Sequence, residues 1–309
     1  MTQQNVIKVV LCICTYKRPA GLKKLLDNLP ALHGAEGLQV VVSDNDAAGE
    51  GVAICQAMPA DYPFTIHTVT ETTPGISAAR NTATAKALSL SPELIAFLDD
   101  DEWPEPQWLS ELIRVQRKHE ADAVGGPTRP EFPKHADPAL LANPYYGADM
   151  ALADESRCQL QAGGNFLMRA SVLSPLAPQF FRPEFAHSGG EDLAFFMQLA
   201  QLDHSMYWAA NAVVHEPVPE SRLHPDWLKH RVVTVHNSRV RVMQLLQPDL
   251  PATLVRCTKT VGLGVVAALL SLTSLVMPSL KDKATQLRWK FEGKLTAHLG
   301  RTTLRSETY

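Results

Sequence analysis

Apolar, β-branched runs alternate with stretches of helical spacing through the first 125 residues. Lys8–Cys14 predicts a strand. Ala20–Leu29 sets Leu22, Leu25, Leu26 and Leu29 on one face, at i, i+3, i+4 and i+7, and predicts a helix. Leu38–Ser43 predicts a second strand ending at Asp44-Asn45-Asp46, and Ile54–Met58 a helical segment. Phe64–Val69 predicts a third strand, and Ser77–Leu88 a helix after the Pro74-Gly75 turn. Leu94–Leu98 predicts a fourth strand running into Asp99-Asp100-Asp101. Gln107–His119 predicts a helix, and Ala123–Gly125 the start of a further strand. This rhythm predicts an α/β fold, a Rossmann-like, mostly parallel sheet flanked by helices. Ligands of such sheets bind beyond the carboxyl ends of the strands. The polar clusters Thr15-Tyr16, Asp44-Asn45-Asp46 and Asp99-Asp100-Asp101 fall there.

The texture changes after Pro127. Arg129–Tyr146 is rich in proline and polar residues and predicts a loop over the site. Gly163–Arg169 predicts a strand or its edge, Leu193–Leu202 a helix, Ser205–Val214 one strand ending at His215, and His224–Leu246 one long basic helix. Thr260–Leu280 carries no charge. Its Val261–Met277 portion is near the lower length limit for a bilayer span and is diluted by Gly262, Gly264, Ser271, Thr273 and Ser274. Lys281–Leu299 repeats Leu287, Phe291, Leu295 and Leu299 every four residues. With Trp289, this predicts an amphipathic helix suited to a membrane interface. Val6–Tyr16 carries Lys8 and lacks a small-residue cleavage site, so it predicts a buried first strand rather than a signal peptide.

Composition narrows the class. The 309 residues, 45% hydrophobic and 20% charged, predict one large domain or a domain with an appendage. They exclude a disordered chain, a fibrous repeat and a polytopic membrane protein. The formal net charge of −3 supplies no global basic field, so nucleic acid is not an expected partner. The charge is unevenly spread: from Arg222 onward 14 Lys and Arg face 5 Asp and Glu, net +9, while the rest carries 15 against 27, net −12. A basic C-terminal third on an acidic body predicts a face that meets an anionic surface. Five cysteines with no CxxC pair predict reduced thiols rather than a disulfide framework or zinc site.

Two clusters carry candidate chemistry. Three adjacent carboxylates at a strand end repel one another unless a cation sits among them. Mg²⁺ or Mn²⁺ takes one or two carboxylates and lets a diphosphate complete its shell. Gly189-Gly190-Glu191-Asp192 puts carboxylates at a helix start, where the dipole favours the ionised form. Downstream, His215 offers an imidazole suited to Mn²⁺, and Arg222 a guanidinium suited to a diphosphate. No GxGxxG follows a strand, which excludes a Rossmann dehydrogenase.

Four motifs recur in fixed order: Cys14-Thr15-Tyr16-Lys17-Arg18-Pro19, Val42-Ser43-Asp44-Asn45, Gly75-Ile76-Ser77-Ala78-Ala79-Arg80-Asn81 and Phe97-Leu98-Asp99-Asp100-Asp101. The ordered set resembles the inverting glycosyltransferase family 2, with the GT-A fold, over roughly residues 6 to 235. The resemblance implies a nucleotide-sugar donor, with UDP expected. Thr15, Tyr16 and Arg18 would line the nucleotide pocket, and Asp44 would bond the uracil edge. Arg80 would approach the phosphates or ribose. Asp99 and Asp100 would face the ribose or sugar, with Asp99 also a candidate metal ligand, and Asp101 would hold Mn²⁺ or Mg²⁺. Asp192 would be the general base, with Glu191 the alternative base or an acceptor contact. Gly163-Gly164-Asn165 would leave room for the acceptor sugar. His215 would add a metal ligand, and Arg222, Trp227 and Arg231 match the order of Arg, Trp and Arg in several branches.

The Gln-x-x-Arg-Trp motif of processive synthases is missing, since Arg288-Trp289 lies far downstream. The chain is therefore similar to bacterial exopolysaccharide glycosyltransferases that add one sugar to a lipid-linked acceptor. The implied organisation is a catalytic domain over 1–235, with a nucleotide half 1–126 and an acceptor half 127–235, and a helical, basic, membrane-associated region over 236–309. The implied location is the cytoplasmic face of the inner membrane, peripheral or monotopic. The competing expectation is a non-catalytic nucleotide-sugar-binding or scaffold subunit of a polysaccharide assembly complex. A complete aspartate triplet together with Glu191-Asp192 argues against it.

Overall fold

The computed structural model describes residues 7–141, 143–147, 152–161 and 163–304. Strand β1 (Val9–Thr15) is buried along its whole length. Its residues alternate between faces. Leu11 and Ile13 pack with Leu22, Leu25 and Leu26 of α1 (Pro19–Asn28). Val10 and Cys12 pack on the other side. The chain then runs outward through β2 (Gln39–Asp44), α2 (Glu50–Gln56) and β3 (Thr65–Thr70). Helix α3 (Ile76–Ser89) buries Ala79, Ala83 and Ala87 and returns the chain across the sheet to β4 (Leu94–Asp99), on the far side of β1. The order reverses between β1 and β4, the position where open α/β sheets form a crevice. Parallel register opposes Thr15 to Asp44 and Cys14 to Asp99, so three candidate motifs end at one sheet edge.

Beyond β4 come β5 (Trp103–Pro104), α4 (Trp108–His119), β6 (Ala123–Gly125), β7 (Thr128–Glu131), α5 (Pro138–Leu141) and β8 (Phe166–Arg169). Then follow α6 (Glu191–Gln201), β9 (Met206–Trp208) and β10 (Val214–Pro217). The main sheet has the order β3-β2-β1-β4-β8-β6-β9, with β8 antiparallel to both neighbours. Phe97, Phe166, Phe181, Phe195 and Phe196 form a ring cluster beneath it. A small second sheet, β5-β10-β7, stands beside the site.

Two expectations are corrected here. Ser205–Val214 is not one strand. The chain turns at Ala209–Ala212, where Asn165 donates to the Ala212 carbonyl, and Val214 then joins the second sheet through Pro127. Arg129–Tyr146 is not a plain loop, since it includes part of β7, α5 and a 3-10 turn at Pro144–Tyr146.

Three long helices close the chain: α7 (Pro225–Leu246), α8 (Leu250–Thr273) and α9 (Lys281–His298). A domain boundary at residue 235 would fall inside α7. Helix α9 lies along α7, with Asn237 bonded to Thr296 and the Arg301 carbonyl. The expected interfacial stripe of α9 is only partly outward. Trp289 packs on the cluster of Tyr146, Val218, Leu228 and Val232, and Phe291 fills the space over Gly264 of α8. All five cysteines are free thiols.

Candidate active site

The aspartate triplet is held from β1 and α1. Thr15 Oγ1 donates to Asp100 Oδ2 at 2.7 Å, and Arg18 Nη1 reaches Asp100 at 3.2 Å and Asp101 at 2.6 Å. Gly21 leaves no space for a Cβ beside the Asp100 carbonyl, so α1 seats directly on the triplet. Asp100 is buried, and burial pushes its carboxyl up to about 7 against the opposing pull of Arg18. Asp100 thus anchors the turn, and Arg18 grips the triplet. Asp99 keeps a side chain 42% exposed. Tyr16 is exposed at the rim.

Asp44 is held by its own loop. It is fully buried, and its oxygens accept the Asp46 and Val52 backbone N–H groups at 3.0 and 3.1 Å. It ties the loop from β2 into α2.

Arg80 joins the two halves of the site. Its guanidinium is buried, 3.2 Å from Asp99 and 3.1 Å from Glu191. Burial works against its charge, yet Asp99, Glu191 and Asp192 keep it protonated, above the usual arginine range. A cation enclosed this way holds the two carboxylates in place.

Gly189 and Gly190 take φ +72° and +102°, a left-handed backbone that favours glycine, and aim the first turn of α6 at the site. Glu191 is fully buried against Arg80. Asp192 is half-buried, with one carboxylate oxygen accepting the Leu193 N–H at 2.7 Å. Asp192 is therefore the reachable carboxylate of the pair. Gly163 gives space to two side chains of the site. A Cβ there would stand 2.7 Å from Arg80 Nη1 and 2.9 Å from Asp192 Cβ. Gly164 makes the same allowance for Glu102. Asn165 is a buried brace that accepts from Trp108 and donates to Pro127 and Ala212.

Two residues escaped the sequence reading. Glu102 is buried, accepts the Asp99 N–H at 3.1 Å and the Thr128 hydroxyl at 3.3 Å, and is pushed well above the carboxylate range by burial and Asp99. Glu216, also raised by burial, holds Arg222 at 2.6 Å. Each directly follows a singled-out residue, Asp101 or His215, and that adjacency was the available signal. Arg222 in turn stands 4.0 Å from Asp101, and its guanidinium lies over Trp227, which stacks on Tyr146. Arg231 is exposed on α7. His215 stacks on Trp103, and its two ring nitrogens face Glu105 and Glu131, each at 3.1 Å, rather than Asp101.

Among the described residues, no three His, Cys, Asp or Glu side chains form a closed metal cage. Seven acidic side chains (Asp99, Asp100, Asp101, Glu102, Glu191, Asp192 and Glu216) nonetheless meet three arginines, Arg18, Arg80 and Arg222. That surplus suits a hard divalent ion held by Asp101, with Asp99 beside it.

Comparison with known proteins fits this geometry. Residues 10–176 match the family described as Glycosyl transferase family 2. The chain is 32% identical over 229 residues to the succinoglycan biosynthesis protein ExoM of Rhizobium meliloti (strain 1021), covering 74% of this chain and 72% of that protein. Among solved structures, it resembles the mannosyltransferase PcManGT from Pyrobaculum calidifontis in complex with GDP-Man and Mn²⁺. The TM-score there is 0.64 at 17% identity, over 95% of this chain and 87% of the other. It also resembles S. aureus TarS 1-349 in complex with UDP, at TM-score 0.53 and 14% identity, over 96% and 92% of the two chains. These structural likenesses speak to the GT-A fold alone. The family match and the relative together settle the classification: the chain belongs to glycosyltransferase family 2.

Proposed function

We propose that the protein moves one sugar, with inversion, from a nucleotide-diphosphate sugar to a glycan acceptor in surface polysaccharide synthesis. The donor is a UDP-sugar and the acceptor lipid-linked, met at the cytoplasmic membrane face. The observation that carries the reading is the Arg80 bridge. One buried guanidinium joins Asp99, at the donor edge of the sheet, to the first turn of α6, and leaves Asp192 half-exposed.

On this reading Asp192 takes the proton from the acceptor hydroxyl as that oxygen attacks the anomeric carbon. Arg80 and Glu191 fix the helix start that carries it. The departing diphosphate needs charge neutralisation. Arg222, steered by Glu216, faces it from one side, and Arg18 holds Asp101 and Asp100 in register. Mn²⁺ or Mg²⁺ on Asp101 and Asp99 would supply the remaining positive charge at the leaving diphosphate. His215 joins that ligand set only by giving up Glu105 or Glu131.

The relative supports the polysaccharide class: ExoM is named for succinoglycan biosynthesis. PcManGT and TarS, solved with GDP-Man and UDP, show that the fold accommodates nucleotide ligands. The test is release of nucleoside diphosphate from a panel of nucleotide sugars by purified protein with Mn²⁺ or Mg²⁺. Release from at least one donor is expected. Donor binding without release or transfer to any acceptor would favour the scaffold alternative.

A further inference from the structure

Helix α8 is built inside out. Its stripe at Arg256, Thr260, Gly264, Ala267 and Ser271, polar or small, faces the protein, with Thr260 meeting His298 and Gly264 meeting Phe291 of α9. Its opposite face is apolar and open: Val261 is 65% exposed, Leu269 57% and Leu272 64%, and Val276 beyond the helix end reaches 85%. A surface helix in water shows the reverse pattern. An apolar face of this extent marks an interaction surface.

Charge identifies the occupant. Residues 250–290 hold six basic side chains (Arg256, Lys259, Lys281, Lys283, Arg288 and Lys290) and one acid, Asp282. Arg256 and Lys290 turn inward, to the Gln247 carbonyl and the Tyr145 ring, while exposed Lys259 stands at one end of the apolar face and exposed Lys281 and Lys283 at the other. That pattern fits an anionic lipid surface, to which basic residues near the headgroups are attracted. An 18-residue stretch of α8 with mean hydropathy 1.5, in a helix of 24 residues, would also permit a span. Its partner opposes one. Helix α9 runs antiparallel along α8, and its Lys281, Asp282, Lys283, Arg288 and Glu292 are exposed. Driving the pair through a bilayer would carry those charges into hydrocarbon.

We infer that α8 lies in the plane of an anionic leaflet, its outward face from Val261 to Met277 sunk among the acyl chains and α9 set above it on the aqueous side. This rests on the membrane-face reading and deepens it by naming the contact surface, the lipid class and the mode. The docked α8 keeps α9 and α7 between the leaflet and the catalytic body. Helix α7 begins three residues after Arg222, so its N-terminus ties this layer to the site.

The test uses the full chain with vesicles of phosphatidylglycerol and phosphatidylcholine, or of phosphatidylcholine alone. Sedimentation with the anionic vesicles is expected, with binding at least about tenfold weaker to the neutral ones or in the triple variant Val265→Ser, Leu269→Ser, Leu272→Ser. Fluorophores at Val261→Cys or Leu272→Cys, in a Cys158→Ser, Cys257→Ser background, should be quenched equally by shallow nitroxide lipids. Depth graded between the two labels would mean a span and overturn the in-plane placement. Unchanged vesicle binding by the triple variant would overturn the surface. A wild-type dimer that the variant dissociates, without vesicle binding, would assign the face to a second copy instead. Nucleotide-sugar affinity measured on the same samples separates the two claims. Its retention in the variant shows an intact fold, and its absence in wild type counts against glycosyl transfer, not against the lipid surface.

Discussion

Arg80 Nη1 lies 3.1 Å from Glu191 Oε1, across 111 residues of sequence, and both side chains are buried. The contact fastens the first turn of α6 to the carboxyl edge of the sheet. Removing one partner of a buried pair leaves an uncompensated charge and costs on the order of 3–5 kcal/mol. Arg80→Met is therefore expected to lose stability in that range by urea unfolding. Arg80→Lys, retaining charge without the two-pronged reach, should recover most of that stability and still turn over at least about tenfold more slowly. Full activity in the lysine variant would show that the bridge does not position the base.

Gly163 tests the same geometry by steric means. A methyl group there meets Arg80 and Asp192 and must push one of them aside. Gly163→Ala should fold, bind donor and lose at least about tenfold in kcat. An unchanged kcat would mean that Asp192 tolerates displacement and is not the base.

Asp101 is the expected metal contact. Asp101→Asn should remove most of the difference in donor affinity between samples with Mn²⁺ and with EDTA, measured by calorimetry. A wild-type protein that binds donor equally with and without EDTA would remove the metal from the account.

Stability should also respond to pH away from the site. His236 Nε2 and the Tyr145 hydroxyl share a hydrogen bond of 2.8 Å. Burial first, and then Lys294, Lys290 and Arg239, depress its pKa to about 4. The unfolded imidazole, near 6.5, then binds the extra proton as pH falls. The stabilisation is present above pH 6.5 and is lost between about 6.5 and 4, up to about 3 kcal/mol. His236→Gln should flatten that part of the profile, read as Tm at pH 7 and pH 5. A variant profile with the wild-type slope would contradict the assignment.

Much of this was legible in the chain. The strands around β1 were readable because their β-branched runs are buried on both faces. The triplet and Glu191-Asp192 were readable because polar residues end those runs. What the sequence concealed were partners. Nothing local shows that Arg80 reaches Glu191, that Asp44 spends its oxygens on its own loop, or that Gly163 yields space to a guanidinium. The break between β9 and β10 depends on Asn165, a tertiary brace. Helix α8 was visible as an apolar stretch, but which side of it faces outward is decided by Thr260 and Gly264 meeting α9.

In the proposed reaction, Asp192 as general base performs the proton transfer at a site where the donor is bound by other residues. The most direct measurement compares wild type and Asp192→Asn for donor affinity by calorimetry and for turnover of the donor that the panel selects, with Mn²⁺ or Mg²⁺ present. Affinity within about threefold of wild type and turnover lower by about 10²–10⁴ are expected. Turnover near the wild-type value, with donor affinity intact, would contradict that role.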